Sequence, residues 1–429
     1  MTITWATVGG SSPIAYLTIT LTNNQTSAVA SGTQILITIN SGTNSTSIQS
    51  ALLNLNWQDG AGNILPSWLE SGEANTSTSS VYWVKLNSSI AANGGTSLIY
   101  QCIYVTTVNC FNTTNTGAEP NFSGNTSGYA TYDDGTAVFG FYDNFAGTSL
   151  ATSWTKVANT SGISVSNGLT LTSNAQVRNS YVVNPETQVY DSDYYASATC
   201  GEYDGNVALG GSGSWSGTTA YTVCYGENAN DYQLVATNNG GSNWYLEGSS
   251  PYLGAGSTST FQIISLWITT NGLYATNNYN NTSYSTYGSC SGTSGFSAST
   301  ALQIWHWAKS GVTLHYQWDR VRTMPPLATM PAYSVSALQG LLSLTGYCRD
   351  PAGNILPNCT VLLFKVSNNG LVGSTTSSTS GSYTFSNMLI SGANYYVVAF
   401  LPANTDSSSV TSYYNVDIMG VTDNNLQGS

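Results

Sequence analysis

Apolar and polar residues alternate along most of this chain in short runs, broken by clusters of Gly, Asn, Ser and Asp. That is the period of half-buried β-strands, not of helices. In residues 1–130 the runs 14–21 and 33–39 alternate strictly, and 52–57, 64–70, 81–86 and 96–105 follow at regular spacing. Residues 132–145 read Y-D-D-G-T-A-V-F-G-F-Y-D-N-F. There the Asp-Asp-Gly cluster is turn chemistry, and the unbroken apolar run 137–142 predicts a strand buried on both faces. This stretch marks a seam between two modules. Hairpin signals then recur at Asn167-Gly168, Asp204-Gly205, Asn239-Gly240 and Asn271-Gly272. Pro325, Pro326 and Pro331 predict extended chain. The expected fold class is all-β, with three tandem β-sandwich domains over 1–130, 131–330 and 344–429 and a linker at 331–343.

Composition sharpens this. Charged residues make up 7% of the chain, against roughly 25% in an average soluble protein. Eight Lys and Arg face 20 Asp and Glu, which excludes a basic face for nucleic acid and a polybasic patch for anionic lipid. No apolar run approaches the ~20 residues of a membrane span. The chain is still 41% hydrophobic, with 29 Tyr and 11 Trp, so it buries real cores. Few carboxylates leave little pH-linked stability to lose in acid, which suits an acidic external medium.

Seven cysteines stand at 102, 110, 200, 224, 290, 348 and 359, none in a C-x-x-C pair. With two histidines in the chain, a zinc site is disfavoured. Neighbouring-strand spacing predicts the disulfides Cys102–Cys110 and Cys348–Cys359, and Cys200–Cys224 with Cys290 competing for either partner. Residues 1–5, M-T-I-T-W, carry no basic run or apolar stretch of a secretory signal. Disulfides without a signal fit a trimmed mature chain, or assembly inside a hyperthermophile, the second of which would suit a virus of such a host.

Three resemblances follow from particular residues. L-P-S-W-L-E-S-G at 65–72, V-Y-W-V-K-L at 81–86 and Y-D-D-G…F-Y-D-N-F resemble a family of uncharacterised surface-protein domains of archaea and some bacteria. In that family the domain commonly precedes a concanavalin A-like module. Residues 131–330 resemble such a laminin-G or concanavalin A-like jelly roll, closing with Y-Q-W-D-R-V-R at 316–322. The resemblance implies that this last strand lies beside the seam strand. Residues 344–364, L-T-G-Y-C-R-D-P-A-G-N-I-L-P-N-C-T-V-L-L-F, resemble a carboxypeptidase regulatory-like or collagen-adhesin B-type sandwich. The element D-x-A-G-N-I-L-P occurs at 59–66 and again at 350–357; it reads as shared turn chemistry.

Candidate chemistry is sparse. Glu202-Tyr-Asp204-Gly-Asn206-Val207 resembles the E-x-D-x-x-E strand of laminarinase-type glycosidases, but Val207 stands where the second carboxylate belongs. His306 lies between Trp305 and Trp307, and neither it nor His315 has a Ser or Cys nucleophile in sequence context. The expectation is therefore a chain without catalytic activity. Asp133, Asp134, Asp143 and Asn144 could supply oxygen ligands to calcium. Trp215 and Trp244, in Gly/Ser/Asn-rich segments, are candidate glycan-stacking residues. Eleven N-x-S/T sequons, at Asn24, Asn44, Asn75, Asn87, Asn112, Asn121, Asn125, Asn159, Asn280, Asn281 and Asn358, are candidate glycosylation sites.

The reading is a structural or attachment protein of an extracellular surface: the spike, turret or fibre of an archaeal virion, or an archaeal cell surface. Its expected partners are other copies or other proteins of that assembly and a host or cell-surface glycan. The alternative from another class is a secreted polysaccharide-active glycoside hydrolase.

Overall fold

A computed structural model describes residues 5–112, 115–197, 205–211, 220–225, 231–238, 243–246, 252–285, 302–350, 353–366, 369–390, 395–400, 412–416 and 424–427. The fold is all-β; the described residues form five sheets around three main hydrophobic cores.

The first core lies between two sheets. One runs through Ala15–Asn23, Gly95–Ile103 and Leu55–Asp59; the other orders Gln34–Ile39, Ser80–Lys85, Ser67–Ser71 and Thr116–Ala118. Alternation sends Ile35, Ile37, Leu69, Tyr82 and Val84 inward to this core. The opposite face of the four-stranded sheet carries Leu36, Trp68 and Trp83, which are also covered, by Val138, Phe139 and Trp318. A sheet covered on both faces cannot read as clean apolar–polar alternation, which is why 81–86 is apolar on both sides.

The second core fills a jelly roll of two eight-stranded antiparallel sheets. In one, Phe141–Asp143 and Gln188–Ala196 flank Thr313–Thr323, with the register Asp143↔Asp319. The last strand of the module therefore lies beside the seam strand, as the resemblance implied. The other sheet centres on Leu302–Ala308 between Gly205–Gly210 and Gln176–Val183. The third core, around Val361, Leu363, Phe385 and Val397, is the smallest.

Two expectations are corrected here. Residues 137–142 are not one strand. Gly135–Val138 forms a single helical turn and only Phe141–Asp143 pairs. The Asp133 carboxylate accepts the Gly135 N–H at 3.0 Å, and Gly135 has no room for a side chain beneath the Tyr142 ring; together they favour the tight turn over extension. Nor is 331–343 a free linker. Ala332–Val335 pairs with Ala15–Asn23, and Gln339–Arg349 continues onto the same strand, so the sheet of the first core runs on into the third.

The repeated D-x-A-G-N-I-L-P element folds the same way twice. The Asp59 backbone N–H donates to the Asn63 carbonyl and Asp350 N–H to that of Asn354, both at 3.0 Å. Each Asp carboxylate takes the backbone and side-chain N–H groups of its Asn, at 2.8 and 2.8 Å for Asp59 and 2.7 and 2.8 Å for Asp350. Gly62 and Gly353 both sit at φ +86, a left-handed position glycine adopts freely. For Asp59, burial pushes the carboxyl up, but donors from Asn63, Asn87 and Ala61 outweigh it and hold it below its ordinary value. A depressed folded-state value contributes stability above the unfolded pKa, lost as pH falls through the folded one. Asp59→Ala should accordingly cost about 1 kcal/mol near neutral pH, and urea melts of the two proteins should draw together as pH falls below the ordinary carboxylate range.

Candidate functional site

The junction between the four-stranded sheet and the jelly roll gathers the richest chemistry among the described residues. Its centre is Arg320. On Thr313–Thr323 a bulge places Asp193 opposite Trp318 but Tyr194 opposite Tyr316, leaving Gln317 as the extra residue. Tyr316 and Val321 thus face the jelly-roll core, while Trp318 and Arg320 face the first domain. The fully buried Arg320 guanidinium lies 4.4 Å from the Trp318 ring centroid, 4.6 Å from Trp83, 4.7 Å from Phe139 and 5.3 Å from Trp68. It pairs with Glu70 at 2.8 Å and Asp191 at 2.9 Å and touches the Tyr279 hydroxyl. Arg322 reaches the same Asp191 oxygen at 2.9 Å. Burial alone would raise the Asp191 carboxyl; Arg322 and Arg320 more than offset it and hold it low.

Tyr279 enters from a hairpin whose Asn278 and Tyr279 both take positive φ, 47 and 61, the primed-turn geometry that matches strand twist. Its hydroxyl donates to Glu70 at 2.6 Å, and the Trp83 indole N–H donates to the same oxygen at 2.7 Å.

Beside this aromatic box opens a cleft of about 460 Å³, lined among others by Glu70, Glu119, Asp193, Phe261, Tyr279 and Trp318. Glu119 accepts the Asn121 N–H at 3.1 Å and the Gln317 amide, and shares a hydrogen bond with Glu73. Burial, then Glu73 and Asp193, push the Glu119 carboxyl up to about 9 against the Asn121 N–H that lowers it. Asp193 is 7% exposed. Burial, then the negative field of Glu70, push its carboxyl up as well, with Arg320 opposing. At neutral pH the cleft therefore holds a protonated Glu119 near Asp193, whose carboxyl is also raised, and the ion-paired Glu70.

A raised folded-state pKa contributes stability that is complete below the unfolded value and lost as pH rises through the folded one. For Glu119 that window runs from about 4.3 to about 9. Thermal melts should show stability falling across this window, and Glu119→Gln should flatten the fall. A wild-type melting temperature that rose steadily through the window would contradict this.

The residues singled out in the sequence fall mostly elsewhere. Asp133 is saturated by donors: the Trp68 indole at 2.9 Å and Gly135 N–H at 3.0 Å on one oxygen, the Tyr142 hydroxyl at 2.6 Å and Asn144 amide at 2.8 Å on the other. Asp143 accepts from Phe145 N–H and the Trp154 indole, both at 2.8 Å. Asn144 accepts from Ala146 N–H at 3.0 Å, and Asp134 is the helical turn's cap residue. The Asp133, Asp143 and Asn144 oxygens are thus engaged by protein donors, while Asp134 Oδ2 is buried without a partner; no group of three or more His, Cys, Asp or Glu placed to hold a calcium ion occurs among the described residues.

Cys102, Cys110, Cys348 and Cys359 are buried, and the expected Cys102–Cys110 and Cys348–Cys359 cystines are not formed in this structure. The partners are neighbours nonetheless: Cys348 shares a hydrogen bond with Cys359, and Cys110 raises the thiol of Cys102. Cys224 lies in the strand Ala220–Tyr225; Cys200 and Cys290 lie outside the described residues. So do Trp215, Glu202 and Asp204. Trp244 sits in the strand Asn243–Leu246 opposite Thr237, not in a loop. Val207 points into the jelly-roll core. His306 is sealed there, 2.6 Å from Asp319, which also accepts the Tyr190 hydroxyl at 2.9 Å. His315 meets the Thr170 hydroxyl at 3.2 Å.

Of the sequons, Asn24, Asn87, Asn121, Asn159 and Asn358 are exposed, and Asn44, Asn75 and Asn125 are partly buried. The side-chain amides of Asn75 and Asn125 are spent on backbone carbonyls at 2.8 Å. Asn112, Asn280 and Asn281 lie in the short helix Cys110–Asn112 and the strand Asn280–Ser285.

Sequence reasoning passed over Glu70, Glu119, Asp193 and Arg320. A usable signal was there: in a chain so poor in charge, carboxylates inside apolar strands, as in W-L-E at 68–70 and Y-D-S-D-Y at 190–194, ask for buried partners.

No protein-family model matches the chain, and no curated protein matches it. Solved structures do. A protein from a study of endo-acting O-glycanases of the human gut microbiota, which initiate mucin breakdown, aligns at 11% identity and TM-score 0.34, covering 43% of this chain and 98% of its own. A Bacillus licheniformis β-glucanase aligns at 13% and 0.32, covering 42% and 97%. The catalytic domain of an endo-1,3-β-glucanase (laminarinase) from Thermotoga petrophila aligns at 9% and 0.33, covering 43% and 96%. The expectation of a chain without catalytic activity is withdrawn: two of the solved structures it aligns with are named as glucanases. That expectation rested on Val207 at the place of the second carboxylate and on two histidines without a Ser or Cys nucleophile in sequence context. These alignments span about two-fifths of this chain.

Proposed function

We propose that this chain engages a glycan in the cleft between its first domain and its jelly roll, as a protein displayed on an extracellular surface of a virion or cell among other copies or other proteins of that assembly. The cleft itself carries the reading. Phe261, Tyr279 and Trp318 offer apolar rings, and Thr38, Ser71, Asn278, Gln317 and the carboxyls offer hydroxyl, amide and acid partners at one place. A sugar presents that same mixture of apolar C–H face and hydroxyl edge. A surface poor in charge and rich in Tyr, Ser, Thr and Asn supports a neutral ligand.

Calorimetric titration of the full chain with a panel of soluble oligosaccharides tests this. Binding should weaken about tenfold or more in Phe261→Ala. Binding unaffected by Phe261→Ala and by Thr38→Ala would remove the cleft from the claim.

A second reading, cleavage of the bound glycan, is favoured by one observation: a carboxyl that keeps its proton at neutral pH lies beside a second carboxyl. A protonated acid poised over a leaving-group oxygen is half of what glycoside hydrolysis needs. Reducing-end release from a β-1,3-glucan and from mucin O-glycans, abolished in Glu119→Gln, would support it. No release from either would leave binding as the function.

A further inference from the structure

We infer that the glycan taken by this cleft carries a free amino group, so that an ammonium sits between Glu119 and Asp193 against the aromatic wall. The inference rests on the proposed glycan reading and specifies its ligand.

The argument begins with charge. At the junction the Arg320 and Arg322 guanidiniums pair with Glu70 and Asp191, and the Lys85 ammonium donates to the Ala137 carbonyl at 3.1 Å. No cation within ion-pair range of Glu119, Glu73 or Asp193 is present among the described residues. The wall is therefore two or three carboxyls in excess of its positive charges.

Placement comes next. Asp193 lines the cleft, is more than nine-tenths buried, and has no hydrogen-bond partner among the described residues. Buried polar groups almost always find partners, so a carboxyl aimed into a cavity without one has a place for a donor. Phe261, Tyr279 and Trp318 line the same space, and ring faces attract ammonium groups. An ammonium has three donors and no acceptor. That complements a site whose Glu119 and Asp193 can only accept once ionised.

The groups facing the two acids are Glu73, Gln317 and Tyr129 around Glu119, and Glu70, Arg320 and Asp319 around Asp193. In the empty cleft, burial favours the protonated form of both carboxyls. An entering ammonium favours the ionised forms, so binding should expel protons to solvent.

Isothermal titration near pH 6 in two buffers of different ionisation enthalpy tests this with a glucosamine tetramer, its N-acetylated counterpart and a neutral glucose tetramer. The amino form should bind at least about tenfold more tightly than both others, releasing on the order of one proton per ligand. That preference should vanish in Asp193→Asn. Should that variant fail to fold, Glu119→Gln, close in shape to the protonated acid, makes the same test. Equal affinity for all three tetramers, or tight amino-sugar binding without proton release, would overturn the inference while leaving glycan binding intact. Binding of none of the three, nor of any other oligosaccharide, would overturn the glycan reading itself.

Discussion

Replacing Arg320 by methionine should destabilise the protein by about 3–5 kcal/mol, the largest effect expected of any single substitution at the junction. The side chain is fully buried, and its removal leaves Glu70 with no cation and Asp191 with Arg322 alone. Methionine restores bulk between Trp68, Trp83, Phe139 and Trp318 but none of the charge. The loss should therefore exceed that from Trp83→Phe, which keeps the ion pairs and gives up one indole hydrogen bond to Glu70. Arg320→Lys should recover only part, since a point charge cannot satisfy Glu70, Asp191 and Tyr279 in the planar fork that arginine offers. Urea denaturation checks the series. A cost below about 1 kcal/mol for Arg320→Met would mean that the two domains are not held by this residue.

The second large effect concerns thiols. Cys348 and Cys359 lie in contact inside the third core, and burial together with the neighbouring Cys359 pushes the Cys348 thiol up to about 12. As a buried, protonated thiol it reacts slowly. Exposure to oxidised glutathione during refolding should join the two sulfurs. The cysteine thiols lose two protons and two electrons, and the added disulfide is reduced to two glutathione thiols. Closing this short loop should add about 3 kcal/mol through lost unfolded-state entropy. The readouts are a mass two hydrogens lower, protection of both cysteines from alkylation under denaturing conditions, and a higher melting temperature. Oxidised protein in which both residues still alkylate would show that the pair does not close. Cys102 and Cys110, buried together in the first core, should behave alike.

Much of the fold was legible because period-two alternation is a local signal. Strands such as Ala15–Asn23 and Gln34–Ile39 alternate in sequence and in burial. The Asp59 and Asp350 turns were equally plain, since every hydrogen bond that makes them lies within five residues. The junction was not. Its donors and acceptors meet over 129 positions for Arg320 and Asp191 and 198 for Gln317 and Glu119, and nothing local announces such a meeting. Trp68 and Trp83, inside strand patterns of the first domain, face its neighbour. The seam failed for the opposite reason. A short apolar run fits a strand or a helical turn equally well by composition, and the Gly135 N–H bonded to the Asp133 carboxylate decided it.

Whether the domain junction is where a glycan sits is tested most directly by hydrogen–deuterium exchange of the full chain with and without a saturating oligosaccharide. Bound sugar should protect the peptides that carry Glu119, Asp193, Asn278 and Gln317, four segments far apart in sequence that come together around this cleft. Protection confined to the segments carrying Trp215, Trp244 or Trp305–Trp307, with the junction peptides exchanging as before, would contradict it.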